Sequence, residues 1–173
     1  NDPSNVAVSV DFRNAFNACS RTEALTATAE MAPRLYNWLR YQYQQPTRLW
    51  VAGAPEGTPP LMSEEGVRQG DPAATAAFCM GLQRILLETV RRHPAALLFA
   101  IADDVTVCAN GVAGVPVAQT LTQLAKDRLN LDVVPRKSTA FSYDGTAGAA
   151  AAAALGYQHA EDGIVCVGTP IGY

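Results

Sequence analysis

The order of strand-like and helix-like segments predicts an α+β domain, a small antiparallel sheet with helices packed on one face. Short β-prone runs come in pairs with turn residues between them, at 47–52 with 61–65 and at 97–101 with 105–109, which is hairpin spacing rather than repeated βαβ units. Between them lie longer segments whose apolar residues recur three and four apart and whose ends carry helix start or stop signals. The run from Leu98 to Cys108 is almost wholly apolar apart from its centre, where Asp103 and Asp104 stand side by side. Adjacent strand residues face opposite ways, so this pair can converge on one object only at the bend of a hairpin.

Val6 to Phe12 alternates and reads as a strand ending on Asp11. Ser20-Arg21-Thr22-Glu23 is a capping box, with both the Ser hydroxyl and the Glu carboxylate expected to satisfy free amides, and it opens a helix toward Met31. Pro33 interrupts that helix, and Leu35, Leu39 and Tyr43 continue an apolar stripe. A Gly/Pro-rich loop joins the strands at 47–52 and 61–65. Asp71-Pro72 is an N-cap followed by proline at the first helical position, and the helix should run to Arg92 with Phe78, Leu82, Ile85, Leu86 and Thr89 on one face. After the acidic hairpin comes a helix from about Pro116 to Leu129, stopped by Asn130 in the left-handed cap conformation. Residues 133–143 hold one or two strands broken at Pro135. The alanine run 149–154 propagates a helix but is expected to bury little, and 164–167 with a turn-rich 168–172 closes the chain.

At 173 residues and 49% hydrophobic content the chain makes one domain with an ample core. No segment reads as a signal peptide or a bilayer span, and the missing initiator Met suggests a piece of something longer. Cys19, Cys79, Cys108 and Cys166 form no CxxC pair and are expected as buried thiols in a reducing compartment. A net charge of −3 lacks the basic footprint of a nucleic-acid protein.

Carboxylates crowded at a hairpin tip repel one another, and a divalent cation is the usual compensation. Catalysis with two cations about 3.5 to 4 Å apart needs carboxylates from different segments. Asp11 with Asp103 and Asp104 supplies such a set if the first strand lies beside the hairpin. Taken singly, a strand-end aspartate is more often a cap, and an Asp-Asp tip more often a solvated turn.

In this order and spacing, Asp11-Phe12-Arg13-Asn14-Ala15-Phe16, Gly66-Val67-Arg68-Gln69-Gly70-Asp71-Pro72 and Ala102-Asp103-Asp104 resemble motifs A, B and C of a reverse transcriptase palm, most closely that of non-LTR retrotransposons. Asn130-Leu131-Asp132-Val133-Val134-Pro135-Arg136-Lys137 resembles motif D, and Val167-Gly168-Thr169-Pro170-Ile171 resembles motif E, the primer grip. The similarity spans nearly the whole chain.

The resemblance implies that Asp11, Asp103 and Asp104 are catalytic and hold two Mg²⁺ (or Mn²⁺) ions per active site, with the backbone carbonyl of Phe12 as a further ligand. Phe16 then packs on the incoming sugar and excludes a 2′-hydroxyl, favouring dNTP. Gln69 and Gly70 contact the nascent base pair and template, and Lys137 approaches the triphosphate. The implied partners are RNA template, DNA primer, dNTP and the rest of the polypeptide, with no membrane. The implied location is intracellular, and nuclear for a eukaryotic element. Residues 1–173 are expected to be the palm alone, inactive by itself, with the basic fingers and the thumb elsewhere, which would account for the acidic charge. Against the family pattern, Ala73-Ala74-Thr75 replaces Leu-Ser-Pro, Ile101 replaces Tyr or Phe, and Asn130 and Val134 replace Gly and Asn. Two alternatives stand beside this: a degenerate or domesticated palm serving as a binding or scaffold module, and an RNA-dependent RNA polymerase palm, which Phe16 disfavours.

Overall fold

The computed structural model describes residues 2–166 and 168–172. In chain order it contains β1 (Asn5–Val10), α1 (Ala15–Ala18), α2 (Arg21–Met31), α3 (Pro33–Tyr43), β2 (Thr47–Leu49), β3 (Leu61–Ser63), α4 (Pro72–Arg92), β4 (Leu97–Ile101), β5 (Asp104–Asn110), α5 (Gly114–Leu129), β6 (Thr139–Ser142), α6 (Thr146–Leu155), β7 (Gln158–His159), β8 (Gly163–Cys166) and β9 (Thr169–Gly172). Five strands form one sheet in the order β4-β5-β1-β6-β7, antiparallel except for the short β6–β7 pair. β2–β3 and β8–β9 are separate hairpins.

Strand alternation sorts the sheet into two faces. Val6, Val8 and Val10 of β1, Val105, Val107 and Ala109 of β5 and Ala140 of β6 are buried in the main core with α4, α5 and α6. On the other face Ala7 and Phe141 pack with Ile164 of β8, and Cys108 and Ile171 flank them. The helices therefore cover one face, and the β8–β9 hairpin covers only part of the second. Val167 lies outside the described residues; the remainder of the expected primer-grip stretch forms the turn at Gly168 and β9.

Local signals place several elements as expected. Asp71 caps α4, its carboxylate accepting from Ala73 N–H at 3.0 Å, and Asn130 ends α5 at φ 57°. Phe78, Leu82 and Ile85 of α4 are buried, each worth about 1.5–3 kcal/mol of apolar transfer. Four expectations need correction. The capping box is half made: Ser20 Oγ accepts from Glu23 N–H at 3.3 Å, but Ser20 N–H donates to the Leu129 carbonyl at 2.9 Å, freeing the Glu23 carboxylate to pair with Arg84 at 2.7 Å. The alanine helix is no idle spacer, because Gly148, Ala151 and Ala152 are buried, and a Cβ on Gly148 would lie 2.7 Å from Ser142 N. Small residues here let α6 lie close against β6. The strands at 47–52 and 61–65 shorten to three residues each and form their own hairpin. Of the four cysteines, all free thiols, only Cys19 and Cys166 are fully buried, and burial pushes the Cys19 thiol up to about 11.

The loop between β3 and α4 is clasped to the segment after β1. Val67 N–H donates to the Phe16 carbonyl at 2.6 Å, Gly66 N–H to Cys19 O at 3.0 Å, and Arg21 Nε to Gly66 O at 2.7 Å. Gly66 has φ +66°, and a Cβ there would lie 2.1 Å from the Asn17 carbonyl oxygen. Its carbon skeleton must be glycine for space as well as torsion. The other end of the loop hangs on buried Tyr43, whose hydroxyl donates to Asp71 Oδ2 at 2.5 Å and accepts from Arg68 N–H at 3.2 Å. The guanidiniums of Arg68 and Arg21 lie 4.9 and 5.5 Å from its ring centroid.

This clasp makes two measurable demands. Gly66→Ala should destabilise the protein by about 2–4 kcal/mol in chemical denaturation, because strain and backbone overlap add. Gly70→Ala, at φ +89° with nothing within 4 Å of the new Cβ, should cost only about 1–2 kcal/mol of torsional strain. Equal losses would refute a steric role for Gly66. Burial alone raises the Asp71 carboxyl, but the Tyr43 hydroxyl, the Ala73 amide and Arg68 outweigh it and hold it below the ordinary 3.8. The folded value lies below the unfolded one, so this stabilisation is complete above the unfolded value and drains away as pH falls from about 3.8 through the folded value. Tyr43→Phe should flatten stability against pH in that acid window, as read by denaturation at stepped pH.

Candidate functional site

The β1–β5 ladder ends at Val10↔Val105. One further step of the same register would set Asp11 opposite Asp104, the first residue of β5. Residues opposite each other in an antiparallel pair project to one face. Because Val6, Val8 and Val10 face the helices, Asp11 belongs to the other face with Ala7 and Ser9, and Asp104 joins Thr106 and Cys108 there. Asp103 lies in the two-residue turn Ala102-Asp103 that links Ile101 to Asp104, so of the pair only Asp103 sits in the bend. Asp11 and Asp103 are half-buried and Asp104 is exposed.

Phe12 is buried on the helical side and bridges Val133. The flanking bonds are Arg13 N–H to Asp132 O at 2.7 Å and Val134 N–H to Asp11 O at 2.9 Å. In such a bridge the central residue's own N–H and C=O point away from the partner strand. The Phe12 carbonyl is thus directed toward the β5 side, where the Ala102-Asp103 turn lies.

The α4 helix reaches this end of the sheet twice. Phe78, fully buried, stacks on Phe16 with ring centroids 4.6 Å apart and planes at 27°. Cys79, one residue on, has its thiol raised by burial and by the charge of Asp103, against the pull of a backbone hydrogen bond from Ala102. Phe16 itself is half-buried on α1, a four-residue helix that periodicity did not predict. Gln69 and Gly70 are exposed at the tip of the clasped loop. Lys137 is exposed on the segment stitched to Asp11, with Arg136 beside it, and Arg13 is exposed next to Asp132.

These residues gather at one open edge of the sheet, lined on β4 by the exposed side chains of Leu97, Phe99 and Ile101. Continued one step, the β1–β5 register would bring Asp11 and Asp104 together there, with Asp103 in the adjoining turn; among the described residues, no group of three or more His, Cys, Asp or Glu side chains is placed to hold a metal ion. The donor set nonetheless fits a hard divalent cation in kind, being all oxygen, multiply anionic and open to water on the Asp104 side. A 490 Å³ cavity lined by Pro3, Ala7, Cys108, Phe141 and Ile171 lies toward the opposite end of β1 and includes none of the acids. Three contributors escaped the sequence reading: Tyr43, Ser138 and Cys79. Each acts through a partner distant in sequence, and no local pattern announces it.

No sequence-family profile matches the chain, and no curated protein matches it by sequence. Its structure is similar to that of apo telomerase from Candida tropicalis truncated from its C-terminal domain, with a TM-score of 0.61 and 11% identity over 97% of this chain. The chain spans about a third of that telomerase, 34% of its length. At this identity the likeness speaks for architecture alone, an α+β fold shared with part of that telomerase.

Proposed function

We propose that this chain is the palm of an RNA-directed DNA polymerase of the non-LTR retrotransposon type, transferring nucleotides from dNTPs to a primer 3′-end on an RNA template. The observation that carries this reading is the β1–β5 register, which ends at Val10↔Val105 and, continued one step, would set Asp11 opposite Asp104 on the face away from the helices.

Asp11, Asp103, Asp104 and the Phe12 carbonyl would hold two Mg²⁺ or Mn²⁺ ions. When bound, such ions lower the pKa of the primer hydroxyl and offset charge on the phosphates. In the transfer the primer 3′-oxygen bonds to the α-phosphorus as the bond to pyrophosphate breaks, in line. The proton of the primer hydroxyl would pass to water, and Lys137, exposed on the bulge, would serve the leaving pyrophosphate as a charge partner and proton donor. Phe16, whose ring stacks on Phe78, would be the group that packs on the sugar and leaves no room for a 2′-hydroxyl. Gln69 and Gly70 offer polar and backbone groups to the nascent pair above the N-terminus of α4. Among the described residues no helix is long and apolar enough to cross a membrane. In a eukaryotic element the work would be done in the nucleus.

Primer extension by the full-length polypeptide that carries these residues tests the assignment. Asp103→Ala should lower the rate about a thousandfold or more, the loss expected when several kcal/mol of charge stabilisation disappear. Equal rates for wild type and variant would sink the enzyme reading and favour a palm kept for binding alone. Phe16→Val should leave dNTP incorporation measurable while reducing discrimination against NTPs about 10- to 100-fold. Unaltered discrimination would remove Phe16 from the sugar site.

A further inference from the structure

The segment 133–138 is a wide bulge in the strand that pairs with the end of β1. β1 and β6 are in register as far as Ser9↔Thr139, and the chains meet again at Phe12↔Val133. Three steps along the β1 side therefore face six along the other, and the surplus loops out as Pro135, Arg136 and Lys137, all exposed. Such a bulge would leave the N–H of Asp11 without a strand carbonyl to receive it. Ser138 fills the gap. It is 0% exposed, its Oγ accepts from Asp11 N–H at 3.1 Å and donates to the Val134 carbonyl at 3.1 Å, and Val134 N–H returns a bond to the Asp11 carbonyl at 2.9 Å. Lys137 N–H and Ser138 N–H both close on that same Val134 carbonyl at 3.0 Å, and Ser138 O accepts from Gln158 N–H at 2.9 Å, anchoring the unit to β7.

We propose that Ser138 is a positioning residue that locks the main chain of Asp11 and the bulge carrying Lys137 into one rigid unit, so that the carboxylate and the ammonium are placed relative to each other rather than independently. This role rests on the polymerase reading above and adds a residue to it. A buried hydroxyl bonded on both sides cannot be removed without orphaning the Asp11 amide, and loss of support around a metal-holding group typically costs about 10- to 100-fold.

The test compares wild type, Ser138→Ala, Ser138→Thr and Lys137→Ala in the full-length polypeptide. Mn²⁺ binding is followed by electron paramagnetic resonance without substrates, and single-nucleotide extension gives kcat and dNTP KM. Ser138→Ala should weaken Mn²⁺ binding about tenfold and lower kcat about tenfold with KM within about twofold, and Ser138→Thr, which keeps the oxygen, should recover both. In the Lys137→Ala background the kcat loss from Ser138→Ala should shrink, the non-additivity expected of groups acting as a unit. If Ser138→Ala fails to fold, Ser138→Cys, with similar volume and a weak donor, should show the same losses in milder form. Lower thermal stability with Mn²⁺ binding and kcat unchanged would overturn the positioning role, as would fully multiplicative effects of the two substitutions. Wild-type polypeptide that extends no primer with either cation would overturn the polymerase reading, and this role with it.

Discussion

The antiparallel register of β1 on β5 is the constraint from which the rest of the molecule follows. Side chains alternate with a period of two, so a slip of one residue would carry every one of them to the other face. Here the slip would expose Val6, Val8 and Val10, each worth about 1.5–3 kcal/mol when buried, and drive the carboxylate of Asp11 toward the helical core with no partner for its charge. The two costs add and leave one register. Asp11 and Asp104 therefore share a face because Val6, Val8 and Val10, five, three and one residues before Asp11, must share the opposite one. A candidate catalytic geometry is thus fixed chiefly by apolar packing, with the cost of burying the Asp11 charge acting in the same direction.

The helical layer then ties the separate segments to that register. α4 is capped at Asp71, which Tyr43 grips from α3; about two turns later Phe78 supports Phe16, and Cys79 lies against the Ala102-Asp103 turn. One rigid helix thus touches the loop of Gln69 and Gly70, the aromatic after Asp11 and the acidic hairpin. The clasp at Gly66 joins the first two again through main-chain bonds. A shift in any one of these places must be accommodated by α4 or by the clasp, and interiors packed this closely do not deform continuously.

What could be read from the sequence divides along the same line between local and distant causes. Ser20, Asp71-Pro72 and Asn130 act on amides and carbonyls within a few residues, and the helices they delimit stand where those signals put them. The Glu23 carboxylate was misread because its choice was settled by Arg84 on another helix and by Leu129, which took the Ser20 amide. The alanine run looked uninformative because its content is the absence of bulk, which matters only once β6 is known to lie beneath it. The three acids were visible as a pattern, and so was the aromatic at Phe16. The geometry that joins them was not, since the hydroxyl of Ser138 matters only where a bulge leaves the Asp11 amide unpaired, 127 positions away in the chain.

The acidic turn itself carries a cost that its neighbours must offset. Ala102 has φ +53°, a left-handed conformation that costs a residue with a Cβ about 1–2 kcal/mol and that turns usually give to glycine or asparagine. The five paired positions of β4 with β5 and the six of β1 with β5 over-determine the hairpin and hold that residue in place. Glycine would relieve the strain but would also widen the range of conformations open to the tip, and with it the range of positions open to Asp103. Alanine narrows that range, because a Cβ tolerates only a small left-handed basin. Two like charges at the tip repel and press outward on the turn. A stiff, slightly strained alanine flanked by fully paired strands resists that pressure through the main chain itself, with Asp104 left exposed on the side of the sheet away from the helices.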